Sequence, residues 1–231
     1  MHCFFCKNTG SPGDEAELES TERKHLFKTL RAAPGEQVKL LDGKGSVILA
    51  EISTAKNLII LSVNRQQRPR NELHLFLAPP KRQKMDQLLR QCSEVGITNI
   101  HPMITQRSVS APEKVSERWL TLLQEGCKQS GNPFLPEINT PVKFPAAVDF
   151  IKKNSISAYF GAVKGTHPSP ENISNRIGWI VGPEGGFTEN EEEQMLDAGI
   201  TPLRLGSYVL RVETAAVCGV TLLNFLSNRE D

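Results

Sequence analysis

The spacing of apolar and polar residues divides the chain into two regimes. Over residues 1–70 the apolar runs are short. His2–Phe5, Gln37–Leu41, Ser46–Ser53 and Leu58–Val63 read as strands, and Asp42-Gly43 marks a turn. One helix is predicted there, over Thr21–Ala33, capped by Ser20 or Thr21 and stopped by Pro34-Gly35. Short strands with a polar rim predict a small barrel. Arg65–Arg70 is polar, basic and interrupted by Pro69, which marks a linker.

From Glu72 onward strands and helices alternate. Leu73–Ala78 is a continuous apolar strand ended by Pro79-Pro80. Gln83–Val95 places Met85, Leu88, Leu89 and Cys92 at helical spacing. Asn99–Ile104 is the next strand and Glu113–Gln129 the next helix. Ala146–Lys153, Ile156–Phe160, Gly178–Val181, Glu189–Ala198, Leu203–Leu205 and Glu213–Leu226 continue the alternation. The pattern predicts two domains, 1–70 and 71–231, the second an α/β domain with a mainly parallel sheet.

Two glycine-containing loops stand out within the second domain. In the first, the apolar run to Val181 meets Gly182, Gly185 and Gly186. Thr188 and Glu191 follow with the spacing of a capping box. Strand, glycine loop and helix is how α/β proteins bring bare backbone to a ligand, although a tight turn without a ligand has the same form. Neither Gly-Lys-Ser/Thr nor Gly-x-Gly-x-x-Gly is present, so the phosphate-binding loops are excluded. Glu184 and the glutamates after it disfavour a triphosphate and suit a ligand carrying positive charge. In the second loop, Leu205-Gly206 precedes Arg211, Glu213 and an apolar helix. The two charges there are either functional or a solvated pair at a helix end.

Composition adds limits. The 231 residues carry 23% charged and 39% hydrophobic residues and a net charge of +1. The charge is unevenly placed: Arg65–Arg90 holds seven basic and two acidic residues, and Glu184–Asp197 holds six acidic and no basic ones. A basic stripe is compatible with a phosphate backbone, and equally with a solvated face. Five cysteines, an odd number, argue against a disulfide framework, and Cys3-x-x-Cys6 lacks a second ligand pair, so no metal is expected. No targeting or membrane-length segment is evident, which suits a cytoplasmic protein.

At this point the chain resembles a known family. Gly182-Pro183-Glu184-Gly185-Gly186-Phe187, Leu205-Gly206 and Leu210-Arg211-Val212-Glu213-Thr214-Ala215 are similar to motifs of the RsmE-type RNA methyltransferases of the SPOUT superfamily. Lys81, Lys84 and Met85, then Glu94, Gly96, Pro102, Arg107 and Ser108, then Trp119, Glu125, Gln129, Ser130 and Gly131, extend the similarity in order. His25, Leu30, Arg31, Gly35, Gly43 and Gly45 fit the family's leading domain. The chain departs from the pattern at Gln91, Lys128, Asn132, Ser207-Tyr208 and Val212.

The resemblance implies a PUA-like RNA-binding barrel followed by a trefoil-knotted domain, since periodicity alone never shows a knot. It implies an enzyme that uses S-adenosylmethionine to methylate N3 of a uridine in small-subunit (16S) ribosomal RNA, and a homodimer. The implied cofactor pocket comprises Gly161, Gly182, Pro183, Glu184, Gly185, Gly186, Leu205, Gly206, Leu210 and Thr214. Arg211 and Glu213 are the catalytic candidates, and Arg31, Lys81, Arg82, Lys84 and Arg107 the RNA contacts. The departures motivate an alternative: an RNA-binding or ribosome-assembly protein with weakened catalysis. A nucleotide-binding α/β enzyme of another kind is a third reading, opposed by the missing phosphate motifs.

Overall fold

The structure is a computed structural model and describes residues 1–167 and 174–227. The chain forms two compact units. The first comprises Met1–Arg68 and Gln124–Leu135, the second Pro69–Leu123 and Pro136–Asp231. A single cut at residue 70 would not separate them, because 124–135 groups with the first unit.

The first unit is built on a curled sheet with the order β1-β3-β4-β5-β2. Its strands are β1 (Cys3–Phe5), β2 (Glu15–Ala16), β3 (Gln37–Leu41), β4 (Ser46–Ile52) and β5 (Leu58–Arg65). The alternate buried positions of β4 put Ile48, Ala50 and Ile52 against Phe4, Leu26, Val38 and Leu40. Past the ends of the edge strands β1 and β2, Cys6 bridges to Leu18, drawing the sheet toward a barrel. Cys127 packs with Phe5 and Leu41, and Lys128 Nζ donates to the Glu22 carboxylate at 2.6 Å.

The first helix of this unit departs from the predicted span. Helix α1 covers Ser20–Lys24 and then widens into a π turn over His25–Thr29. Leu30 N–H donates to His25 O five residues back, and Arg31 takes a left-handed φ of 56°. The wider turn keeps Leu26 in the core with Phe27 and Leu30 packed against it.

The second unit holds an all-parallel sheet in the order β12-β10-β11-β6-β7-β8, with β9 also paired to β7. The strands are β6 (Glu72–Leu77), β7 (Asn99–Ile104), β8 (Glu137–Ile138), β9 (Val142–Lys143), β10 (Ser157–Thr166), β11 (Arg176–Val181) and β12 (Thr201–Leu203). The helices are α2 (Arg82–Glu94), α3 (Glu117–Ser130), α4 (Phe144–Lys153), α5 (Glu189–Asp197) and α6 (Val212–Ser227). Only the first half of α3 belongs to this unit. The central strands are buried on both faces, as a parallel sheet covered by helices requires.

On one face Phe76, Ile180 and Phe160 pack with Phe144, Ile151 and Met195. His101 stacks on Phe76 with ring centroids 4.4 Å apart, and its Nε2 lies 3.0 Å from His74 Nδ1. Burial holds both imidazoles below their ordinary pKa, His101 at about 3, so the pair is neutral at pH 7. On the other face α6 lies against β11 and β6. Gly219 of α6 meets the Trp179 indole so closely that any Cβ there would overlap the ring. The Trp179 Nε1–H donates to Ala215 O at 2.9 Å.

Gly219→Ala is therefore expected to lower the unfolding free energy by about 2–3 kcal/mol through overpacking. Gly206→Ala has open space at the Cβ and should change it by less than about 0.5 kcal/mol. Urea unfolding of the two variants checks the difference.

Candidate active site

Strand β10 and the carboxyl end of β11 open into a cleft of about 550 Å³ within the second unit. Ligands of open parallel sheets sit at this end of the strands, and the volume suits a small organic cofactor. One wall is Gly161–Val163 and another Trp179–Val181. The floor is the loop Gly182–Phe187, and Val209–Val212 with Ala215 closes the far side. A recess of about 120 Å³, lined by Leu203–Leu210, shares Gly161–Val163, Val209, Leu210 and Ala215 with the cleft.

The glycine loop is shaped by two contacts. Gly186 adopts a φ of +70° and donates its N–H to Pro183 O at 2.9 Å, closing a tight turn. At Gly182 a Cβ would stand 3.0 Å from the Phe187 ring, which folds back under the loop onto Phe144 and Phe160. Thr188 then caps α5. Its Oγ1 accepts from Glu191 N–H, and Glu191 Oε2 accepts from Thr188 N–H at 2.9 Å. The predicted capping box is thus present. Glu191 is buried, and its second oxygen accepts Gln106 N–H at 2.8 Å. One carboxylate ties the loop after β7 to the loop after β11. Arg107, next in sequence, donates through Nη1 to Gly185 O at 2.9 Å and to Phe187 O at 3.1 Å.

Charge is concentrated at the α2 side. Lys84 Nζ donates to Glu184 Oε1 at 3.1 Å and stands 3.9 Å from Glu213 Oε2. Glu213 Oε2 is buried and accepts no hydrogen bond. Arg211 is exposed and lines the cleft, while its carbonyl accepts the first hydrogen bond of α6, from Ala215 N–H.

Of the residues singled out in the sequence, the cleft gathers Lys84, Gly161, Gly182, Pro183, Glu184, Gly185, Gly186, Leu210 and Arg211. Glu213 joins them through Lys84. Leu205 and Gly206 line the adjoining recess. Thr214 is exposed on α6 and lines neither. Lys81 and Arg82 are exposed at the start of α2. Arg31 is exposed in the first unit. Lys84 and Arg107 direct their side chains to the unit's own loops.

Comparison with known proteins agrees with this architecture. A model described as an RNA methyltransferase domain matches residues 66–224, and one described as an RNA methyltransferase PUA domain matches residues 18–63. A ribosomal RNA small subunit methyltransferase E from Aquifex aeolicus is 34% identical over 231 residues, covering 96% of this chain and 99% of its own. The chain belongs to the ribosomal RNA small subunit methyltransferase E family. A relative of that name from Rickettsia conorii is 30% identical, covering 92% of this chain and 90% of its own. The crystal structure of a methyltransferase E from Neisseria gonorrhoeae bound to S-adenosyl methionine superposes with a TM-score of 0.89. It is 27% identical and covers 98% of both chains. The fold is thus the SPOUT-type parallel sheet preceded by a PUA-like unit.

Several members of the site carry little signal in sequence. Trp179 looks like an ordinary core residue, and only the need of its buried N–H for an acceptor hints at the tie to α6. Gln106 acts through its backbone N–H, which no side-chain pattern encodes. Glu192, Ala162, Val163 and Val209 line the cleft without any motif.

Glu191→Ala strands Gln106 N–H and Thr188 N–H without their acceptor. It should lower stability by about 2–3 kcal/mol, more than loss of an exposed cap. Urea unfolding of Glu191→Ala against Glu189→Ala, a first-turn glutamate that is exposed, checks this.

Proposed function

We propose that the protein transfers a methyl group from S-adenosylmethionine to N3 of one uridine in small-subunit ribosomal RNA. The observation that carries this reading is the glycine-walled cleft beside β10 and the carboxyl end of β11, in a chain that matches its family along nearly its whole length. The residues present fit the cofactor. The walls are apolar and backbone-rich, no phosphate-binding loop competes, and Glu184 and Glu192 line the cleft with negative charge that suits a positively charged ligand. When bound, the cofactor supplies an electrophilic methyl on a sulfonium.

The chain's own contribution is mostly placement, which can supply roughly 7–11 kcal/mol of the barrier. Arg211 is positioned on the exposed rim to stabilise the negative charge that develops on the uracil ring as N3 loses its proton. Glu213 is the candidate acceptor for that proton. The target base must leave any stacked helix to reach the cleft. Lys81 and Arg82 on α2, Arg31 in the first unit and the basic segment Arg65–Arg70 are the proposed phosphate contacts, and the first unit the RNA-binding module. The same reading includes the knotted path that the resemblance implies, a cytoplasmic site of action on the small subunit, and pairing of two copies. Tyr208 and Val209, 86% and 82% exposed before α6, supply apolar surface for that pairing. Among the described residues no helix is long and apolar enough to cross a membrane. A non-catalytic assembly role is disfavoured, because the loop Gly182–Phe187 that floors the cleft keeps its glycines and their close contacts.

Mapping methylated uridines in small-subunit RNA from cells with and without this gene tests the reading. One N3-methyluridine should disappear with the gene, return with the wild-type protein, and fail to return with Arg211→Ala, whose kcat should fall by at least about 100-fold. An unchanged map would overturn the assignment. The purified protein should show a dimer mass by light scattering at micromolar concentration. A fully active monomer would remove the pairing from the account.

A further inference from the structure

The first unit carries a groove that the transfer chemistry does not use. It measures about 470 Å³, and Arg23, Lys24, Phe27, Lys28 and Lys56 line it with no acidic residue among them. The helical segment Ser20–Thr29 has two unlike faces. On one, Leu26 enters the core, and Glu22 is buried with its carboxylate taken by Lys128. On the other, Lys24 and Lys28 stand four residues apart, a spacing at which like charges repel. Among the described residues none of the groove's four cations is in an ion pair.

The wall opposite the helix is the turn between β4 and β5. Lys56 takes a left-handed φ of 59° there, a conformation in which Gly or Asn is less strained. The turn is held from two sides. Arg23 Nη2 donates to Lys56 O at 3.0 Å, and Asn57 Nδ2 donates to Glu15 Oε1 at 2.7 Å. The Arg23 guanidinium also lies 5.1 Å from the centroid of the Phe27 ring. Phe27 is half-buried, while the cations around it are exposed. A flat membrane surface or a stacked duplex meets the cations and stops short of such a ring. A base turned out of an unpaired strand can enter, with its phosphates left at the rim.

Resting on the RNA reading above, we propose that this groove holds an unpaired segment of RNA, with phosphates on Lys24, Lys28 and Lys56 and a base against Phe27. Arg23 is the positioning residue, bracing the β4–β5 turn and flanking the ring.

Fluorescence anisotropy of the full-length protein with an oligouridine of about ten nucleotides, over a range of salt concentrations, tests this. Lys24→Ala combined with Lys28→Ala should flatten the log–log salt slope by about 0.7 for each contact removed. Phe27→Leu keeps an apolar side chain and loses the flat ring. It should weaken binding at least about fivefold and leave the slope unchanged, whereas Phe27→Tyr should bind as the wild type does. Lys56→Gly relieves the left-handed φ. It should weaken binding without lowering the thermal midpoint, which separates loss of a contact from loss of the fold. Should Phe27→Leu not fold, Lys56→Gly decides. Equal losses from Lys24→Ala and from Lys7→Ala, an exposed cation outside the groove, would mean diffuse surface charge and overturn the site. Polyphosphate binding as tightly as oligouridine, with Phe27→Leu silent, would overturn the place for a base. Tighter binding to phosphatidylglycerol vesicles than to oligouridine, lost in the same variants, would make the groove a membrane contact instead. Failure of the wild-type protein to bind either oligouridine or small-subunit ribosomal RNA would defeat the RNA reading itself. RNA binding left intact by every variant would defeat the groove alone.

Discussion

The buried carboxylate of Glu191 is the constraint on which the site depends. It accepts hydrogen bonds from the backbone of Thr188 and of Gln106 at 2.9 and 2.8 Å, and so fixes two strand-to-helix loops to each other. Arg107 inherits its position from that bond and clamps the carbonyls of Gly185 and Phe187. The glycine loop can then expose its backbone to the cleft without collapsing into it. A loop of this composition would otherwise sample many conformations, and ordering it on ligand binding would reduce affinity. Rigid support behind a bare backbone is what lets few side chains define the pocket.

The same economy appears behind the other wall. Trp179 fills the space between β11 and α6, and Gly219 is the gap in the helix that admits the ring. The indole N–H spends its one hydrogen bond on Ala215 O, in the first turn of α6. The start of α6, which carries Glu213, is thereby tied to the strand that feeds the glycine loop. Cleft geometry and core packing are one structure here.

How much of this the sequence discloses depends on whether the signal is local. The spans of β3 and β7 coincide with the apolar runs Gln37–Leu41 and Asn99–Ile104. The capping box is readable because Thr188 and Glu191 stand at a fixed spacing. The alternation after Glu72 discloses a parallel α/β unit because its central strands, β6 and β11, are buried on both faces. Long-range partners are not disclosed. The π turn at His25–Thr29 serves packing of Leu26, and β10 runs on to Thr166 because it pairs with β12. Helix α3 begins at Glu117, four residues later than its polar pattern suggests. Lys128, a departure from the family pattern, finds its partner in Glu22, more than a hundred residues away. Lys84 reads as one more cation in a basic stripe, and only the fold shows it facing Glu184 and Glu213. Of the other departures, Asn132 accepts Phe134 N–H through its side chain, and nothing in the structure explains Ser207-Tyr208.

The central claim is that a carboxylate outside the cleft preorganises it. Calorimetric binding of S-adenosylmethionine to Glu191→Ala tests this most directly, at a temperature where the variant remains folded. Glu191 does not line the cleft, so a purely local pocket would not register its loss. The account predicts an affinity at least about tenfold weaker, with a more unfavourable binding entropy as the freed loops are ordered by the ligand. Wild-type affinity and entropy in a folded Glu191→Ala protein would contradict it.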